Sequence, residues 1–348
     1  MTGYSEKDLH LATAAGVRAP SLHNRQPWLF RLAGGAIEIL ADPSRIVPLV
    51  DHDGWATRIA CGAATFNARL ALAAAGHPAS VRLHPEPGVI ARLSSFRPPA
   101  HVSPSNSASP PAHASEPTSA DLELYDAIPR RHSHRGPFWP DPVPAPIRVR
   151  LIEAARDEGG WLDLLVGTTA VTGFAEIARS ADRVLLRDSA YQQALASMRD
   201  AVPVGAGAPL AEPHDLLPQR LFNDRPRPDG RDYEPEPLIG ILGSPGDRAV
   251  DQIKAGQAMQ KVLLSAVAAG LDTSMISQPI EVPAAREHLR RALGRTGFPQ
   301  IVVRFGYGTP GLPTPRREPA EVIRDFGPGP VGINGPGVTE VSGAESEA

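Results

Sequence analysis

The spacing of apolar residues switches between helical and alternating periods several times along the chain, and each switch marks a predicted element. A helix is expected from about Ser5 to Val17, opened by an S-x-x-D signal at Ser5 and Asp8 and stopped by Pro20. Trp28 to Leu32 and Ala36 to Leu40 flank Gly34-Gly35, the pattern of a β-hairpin closed by a glycine turn. From about Thr57 to Ala75, Ile59, Ala63, Phe66, Leu70 and Leu72 recur near helical spacing in an alanine-rich background. That composition predicts a helix buried on most sides, ended by Gly76 with Pro78 beyond. Val81 and Leu83 suggest a following strand.

Further along, the pattern predicts a short helix over Ala120 to Ile128 and another from Pro146 to about Asp157. A strand is expected at Trp161 to Val166, a helix over Val171 to Leu186, and a strand at Leu238 to Leu242. The strongest helical stripe, Ala255, Met259, Val262, Leu263, Ala266 and Val267, closes at Gly270, and Pro299 to Phe305 reads as a strand ended by Gly306 and Gly308. Helices alternate irregularly with hairpin and single strands, which favours an α+β architecture over a doubly wound sheet. Residues 97–120 are rich in Pro, Ser, Ala and His and have too little apolar surface to offset ordering entropy, so a linker is placed there. Residues 201–237 form a long, irregular Pro/Gly-rich stretch of the kind that is either a lid or disordered, and the tail from 329 is expected to be disordered.

Composition changes this picture little. Of 348 residues, 42% are hydrophobic and 21% charged, enough for a sizeable core. Lys plus Arg (35) nearly balance Asp plus Glu (38), which argues against nucleic-acid binding and an acidic-membrane footprint. Cys61 is alone, so no disulfide framework or cysteine-based metal cluster can form within the chain; its apolar helical setting suits a small buried hydrophobe. The start lacks a signal pattern, and the apolar run Val262 to Leu271 is about half the ~20 residues of a membrane span, so a cytoplasmic chain is expected.

Three strings carry candidate chemistry. Arg130-Arg131-His132-Ser133-His134-Arg135 concentrates donors in a chain otherwise neutral on balance, as a phosphate with its charged acceptor oxygens requires. A solvated basic turn is an equally ordinary reading, and a metal site on His132 and His134 lacks further ligands at ligand spacing. Pro20-Ser21-Leu22-His23-Asn24-Arg25-Gln26-Pro27-Trp28 packs amides and a hydroxyl between two prolines; Pro27 is expected to hold residue 26 extended. Its amides could match a flat heteroaromatic ring, or simply cap a helix-to-strand turn. Pro315-Arg316-Arg317 adds two cations near the end, a pair that is usually plain surface. Dinucleotide, P-loop, zincin and nucleophile-elbow motifs do not occur.

Together these strings resemble the nitroreductase superfamily. Pro20-Ser21-x-x-Asn24-x-Gln26-Pro27-Trp28 is similar to its P-S-x-x-N-x-Q-P-W segment, and Arg131-His132-Ser133-His134-Arg135 to its phosphate motif. Gly270-Leu271-Asp272-Thr273-Ser274, Gly297-Phe298-Pro299-Gln300 and Phe305-Gly306-Tyr307-Gly308 resemble its C-terminal helix, turn and strand. In ordinary members the phosphate motif precedes the P-S-x-x-N segment and two chains pair. Here the order is reversed within one chain, as in the Acg-like branch, where two halves are fused. The resemblance implies a nitroreductase-like fold with one half at 1–96, the linker at 97–120, and a second half at 121–328 that includes the 201–237 lid.

It also implies FMN as cofactor, one site per chain, and a monomeric pseudo-dimer. Arg131, His132, Ser133, Arg135 and Arg316 or Arg317 would hold the phosphate and ribityl end. Ser21, Asn24 and Gln26 would reach the ring from the other half, with Ser277 and Gln278 at its N5/O4 edge. No protein acid or base, and no metal, is implied. The activity implied is hydride transfer through flavin N5 from NAD(P)H to a nitroaromatic, quinone or similar small aromatic acceptor. A flavin-storing protein with little turnover, and a biosynthetic FMN-dependent dehydrogenase or oxidase, are alternatives. Two departures stand out: no lysine matches those usual near the flavin N1/O2 edge, and Gln278 replaces a frequent acidic residue.

Overall fold

The structure is a computed structural model, and it describes residues 3–49, 51–96, 117–134, 136, 138–201, 217, 237–308 and 314–324. The expected linker and lid fall almost wholly outside these residues, as does the expected tail.

The first half begins with α1 (Glu6–Gly16), whose N-terminus carries the predicted capping box: the Ser5 side chain accepts from the Asp8 amide and Asp8 reaches back to Ser5. Strands β1 (Trp28–Ala33) and β2 (Ala36–Ala41) form the hairpin, with Gly34 and Gly35 at φ 57° and 75°, values a two-residue type I′ turn needs. Helix α2 (Trp55–Ala74) follows, buried along most of its length, then β3 (Ala79–Leu83) and β4 (Val89–Ser95). The sheet order is β1-β2-β4-β3, antiparallel throughout.

The second half contains α3 (Ser119–Ala127), α4 (Ala145–Asp157), β5 (Trp161–Leu164), α5 (Thr168–Arg187) and α6 (Ser189–Ala201). It continues with β6 (Leu238–Ser244), α7 (Ala249–Ala268) and β7 (Asp272–Ile276), then α8 (Gln278–Glu281), α9 (Pro283–Ala292), β8 (Phe298–Gly306) and α10 (Pro319–Val322). Its sheet order is β5-β6-β8-β7, also antiparallel. The two sheets therefore share one topology. Where the first half turns through two glycines, the second inserts residues 165–237, and where the first joins β3 to β4 by a short turn, the second inserts α8 and α9.

The halves meet where α2 packs on α7. A Cβ on Gly62 would lie 2.2 Å from the Ile253 carbonyl oxygen, and one on Gly256 2.2 Å from the Ile59 carbonyl oxygen. The contact is reciprocal, with the same residue offset in each direction, so a local twofold relates the two helices. Only hydrogen fits at either position. Around the crossing, Gln260 Nε2 donates to Asn67 Oδ1 (2.8 Å), and Arg69 pairs with Glu158 at 2.6 Å. One apolar cluster runs through both halves, joining Trp28, Phe30 and Ile39 to Val262, Leu263 and Phe305. The chain's end crosses back: Ile323 bridges Phe30, and the Arg324 amide donates to the Phe30 carbonyl. No helix among the described residues is long and apolar enough to cross a membrane.

Candidate functional site

Between α1 and β1 the backbone makes a cramped loop. His23, Asn24 and Gln26 all take left-handed φ values, 50°, 55° and 52°, which ordinary side chains adopt only where surroundings enforce them. Gln26 is thus not extended, contrary to the expectation from Pro27. Its conformation is fixed from outside. The Gln26 amide donates to Ser21 Oγ (2.8 Å), its side-chain oxygen accepts from the Arg317 amide (2.7 Å), and its carbonyl accepts from Arg317 Nη1. Asn24 Nδ2 donates to the Pro315 carbonyl (2.9 Å) while Asn24 Oδ1 accepts from Arg316 Nη1 (3.0 Å). The two amides expected to face a ring instead bind the 314–317 segment to the opposite half.

That clamp brings Arg316 to Arg131. Arg131 follows α3 and is 6% exposed; its Nη2 donates to the Arg18 carbonyl (3.3 Å), and its Nε and Nη1 have no hydrogen-bond partner. Burial pushes the Arg131 guanidinium down to about 9, with repulsion from Arg316 adding to the shift. Arg316 keeps an unpartnered Nε and is lowered to about 10 by burial and then by Arg18. No carboxylate among the described residues pairs with Arg18, Arg131 or Arg316. Such a cluster costs stability until an anion answers it. Arg317 stands apart, committed to Gln26 and, at 3.2 Å, to Asp42. Arg135 lies outside the described residues.

A cleft whose lining includes Pro20 and Ser133, each two residues along the chain from Arg18 and Arg131 respectively, encloses about 1060 Å³, part of it open to solvent. Ser21 and His23 line it from the first half, Ser133, Ser277 and Gln278 from the second. Ser274 and Arg304 add polar wall from the second sheet, and the rest is apolar or aromatic, with Trp55, Ile59 and Met259 from the helix pair and Met275 from β7. Trp55 is held by Nε1 donating to Gln300 Oε1 (3.0 Å), and Gln300 Nε2 donates in turn to Ser244 Oγ and Asp247 Oδ1, both 2.9 Å. Leu217, buried, also lines the cleft.

The loop carrying Ser133 is stitched to the second sheet. The His134 amide donates to the Thr273 carbonyl (2.7 Å), the Trp139 amide to the Tyr307 carbonyl (2.7 Å), and Arg304 Nη2 to the Gly136 carbonyl. His134 stacks on Phe138, and Arg304 lies over the same ring. His132 Nε2 lies 3.4 Å from Asp272 Oδ1. His132, His134 and Asp272 each bring a ligand atom within 4.8 Å of the others, a grouping that spacing along the chain does not reveal because Asp272 sits on β7.

Sequence reasoning missed Arg18, His23, Trp55, Met259 and Arg304. Arg18 and His23 lie within or beside the quoted motif and were legible by position, whereas Arg304 looks like any alternating strand residue.

Against known proteins, residues 128–307 match the model of the Nitroreductase family. The chain is 30% identical over 319 residues to the Mycobacterium tuberculosis protein named "Putative NAD(P)H nitroreductase Rv3131", covering 88% of each. It is 27% identical over 331 residues to "Putative NAD(P)H nitroreductase acg" of the same organism, covering 90% of this chain and 94% of the other. Among solved structures, the FMN-dependent nitroreductase NfnB from Mycobacterium smegmatis in complex with NADPH aligns at 16% identity and a TM-score of 0.36, over 54% of this chain and 88% of that one.

Proposed function

The chain belongs to the nitroreductase family, and from that premise we propose that it is a flavoprotein holding one FMN between two fused, related halves and using it as an oxidoreductase. The observation that carries this is the pair of buried cations Arg131 and Arg316, drawn together from different parts of the chain with donors unfilled, Arg131 standing two residues along the chain from Ser133 in the wall of a largely apolar cleft. A phosphate dianion suits three converging guanidiniums and the Ser133 hydroxyl, and the cleft suits a flat ring. The residues present fit the group.

In this reading Arg131, Arg316 and Arg18 hold the phosphate, while Ser133 contributes beside them. Asn24 and Gln26 act one step back by fixing the segment that presents Arg316. Ser21, Ser277 and Gln278 offer polar contacts to the ring, and Trp55, Ile59 and Met259 exclude water from it. FMN, when bound, would supply reversible two-electron chemistry between a reduced nicotinamide and a nitroaromatic or quinone. The chain's task is to orient and shield, and no side-chain acid or base is required.

The test is anaerobic mixing of the flavin-loaded protein with excess NADPH or NADH. Rapid bleaching of the visible flavin band is expected. A flavin that stays oxidised with both donors yet bleaches with dithionite rejects the reductase in favour of the second reading, a flavin-holding protein with little turnover. That reading rests on Leu217, which intrudes on the cleft from the otherwise undescribed 202–236 stretch. A protein that takes up no added FMN rejects both.

A further inference from the structure

The cleft has an annex. It shares Ser21, Leu22, His23 and Ala56 with the main space and extends to Arg25, Arg45, Asp51 and Thr57, enclosing about 310 Å³ including its open side. Arg25 Nε donates to the Arg45 carbonyl (3.0 Å), and Arg45 Nε donates to the Arg25 carbonyl (2.5 Å). This reciprocal clasp fixes both guanidiniums by their inner nitrogens. Among the described residues, the terminal nitrogens of neither make a hydrogen bond.

The nearby carboxylates are committed elsewhere. Asp42 Oδ1 accepts from the Ser44 amide and hydroxyl, and Asp42 Oδ2 from Arg317 Nη1. Asp51 accepts from the Ala56 and Thr57 amides and the Thr57 hydroxyl, capping the start of α2. Two fixed cations therefore face one small space with their forked donors unspent. Burial lowers both, and Arg317 and Arg25 lower Arg45 further, while the charge of Asp42 on both and of Glu321 on Arg45 offsets part of this.

We propose that this annex is a subsite for an anionic group, carboxylate or phosphate, carried by the molecule that enters the cleft against the flavin. The inference rests on the flavoprotein reading for the identity of the main occupant. The chemistry could come from two sources, a 2′-phosphate on the nicotinamide donor or a carboxylate on the aromatic acceptor. Paired guanidiniums recognise either through two parallel N–H···O contacts. An acceptor or donor without such a group reaches the flavin and gains nothing from the annex.

The experiment uses the flavin-loaded full chain and the double variant Arg25→Gln with Arg45→Gln. Flavin content is expected to be unchanged, as is turnover of NADH with nitrobenzene. The KM is expected to rise about tenfold, the loss of one charge-assisted contact, for NADPH if the donor supplies the anion or for 4-nitrobenzoate if the acceptor does. Equal KM values in wild type and variant for both charged probes overturn the proposal, as does an equal rise for charged and neutral probes. Loss of flavin also overturns it, because the cations would then belong to the cofactor. Arg45→Gln alone carries the same comparison if the double variant does not fold. If the wild type takes up no FMN, the flavoprotein reading fails separately; calorimetry with NADP⁺ and 4-nitrobenzoate then reads the annex directly, with weaker binding to the variant supporting it and no binding to either protein overturning it.

Discussion

A guanidinium shut away from water with two nitrogens unfilled costs the fold stability, and Arg131 is in that position. Replacing it with methionine, of similar length and no charge, should strip the flavin yet raise the Tm of the flavin-free protein, readable by scanning fluorimetry. The pH dependence has a fixed sign. Because burial depresses Arg131 to about 9, the folded state holds this proton less firmly than the unfolded chain. The cost is fully present below about pH 9 and is relieved as pH rises through that value. The wild-type disadvantage relative to Arg131→Met should therefore be constant below about pH 9 and shrink as pH rises above it, and a gap that stays constant above about pH 9 would remove Arg131 as its source. Asp247 behaves in the opposite sense. Burial alone would raise it, but hydrogen bonds from Arg286, Gln252 and Gln300 outweigh that and hold it below the ordinary carboxylate range. Its contribution is present above that range and is lost as pH falls through the depressed value. Asp247→Asn should cost about 1–3 kcal/mol at pH 7 and flatten the acid limb of a stability profile, loosening Trp55 through Gln300.

At the level of elements, the α2–α7 crossing is the most demanding contact. Gly62→Ala or Gly256→Ala places a methyl group against backbone carbonyl oxygen, which a rotamer change cannot relieve. A loss of about 2–4 kcal/mol is expected in urea melts. Gly173→Ala, in the interior of α5 with nothing within 4 Å of the new carbon, should instead stabilise by about 0.5–1 kcal/mol. The contrast separates packing from helix propensity.

The elements with strong local signals were legible: the glycine-turned hairpin, the capping box on α1, and the two apolar helices. The weak ones were not. β7 opens with Asp272, Thr273 and Ser274 and lacks the alternation of a strand; it is held by pairing along β8 from Gly306 to Val302. β4 mixes Ala91 and Arg92 into its run, and α6 follows α5 across Asp188 with no glycine or proline between them. The site was half legible. Its motifs located the loops, but local rules misread Gln26, whose φ is set by Arg317 nearly three hundred residues away. Contacts of that range leave no local trace.

For the molecule as a whole, one apolar cluster spanning both halves means that they should unfold together. A protease site engineered between residues 97 and 116, cut under native conditions, should leave two fragments that elute as one yellow species and part only in denaturant. Separation without denaturant would show that the covalent link, and not the α2–α7 contact with its Arg69 to Glu158 pair, holds the halves together.

The repeated sheet topology has a further consequence. In an assembly of two identical chains every substitution lands twice, once on each side of the axis, so a change that improves one cavity is imposed on its mirror image. A single polypeptide carrying both units escapes that bookkeeping. Each unit is at liberty to change alone, and here the first unit's Asn24 and Gln26 grip residues 314–317 of the second.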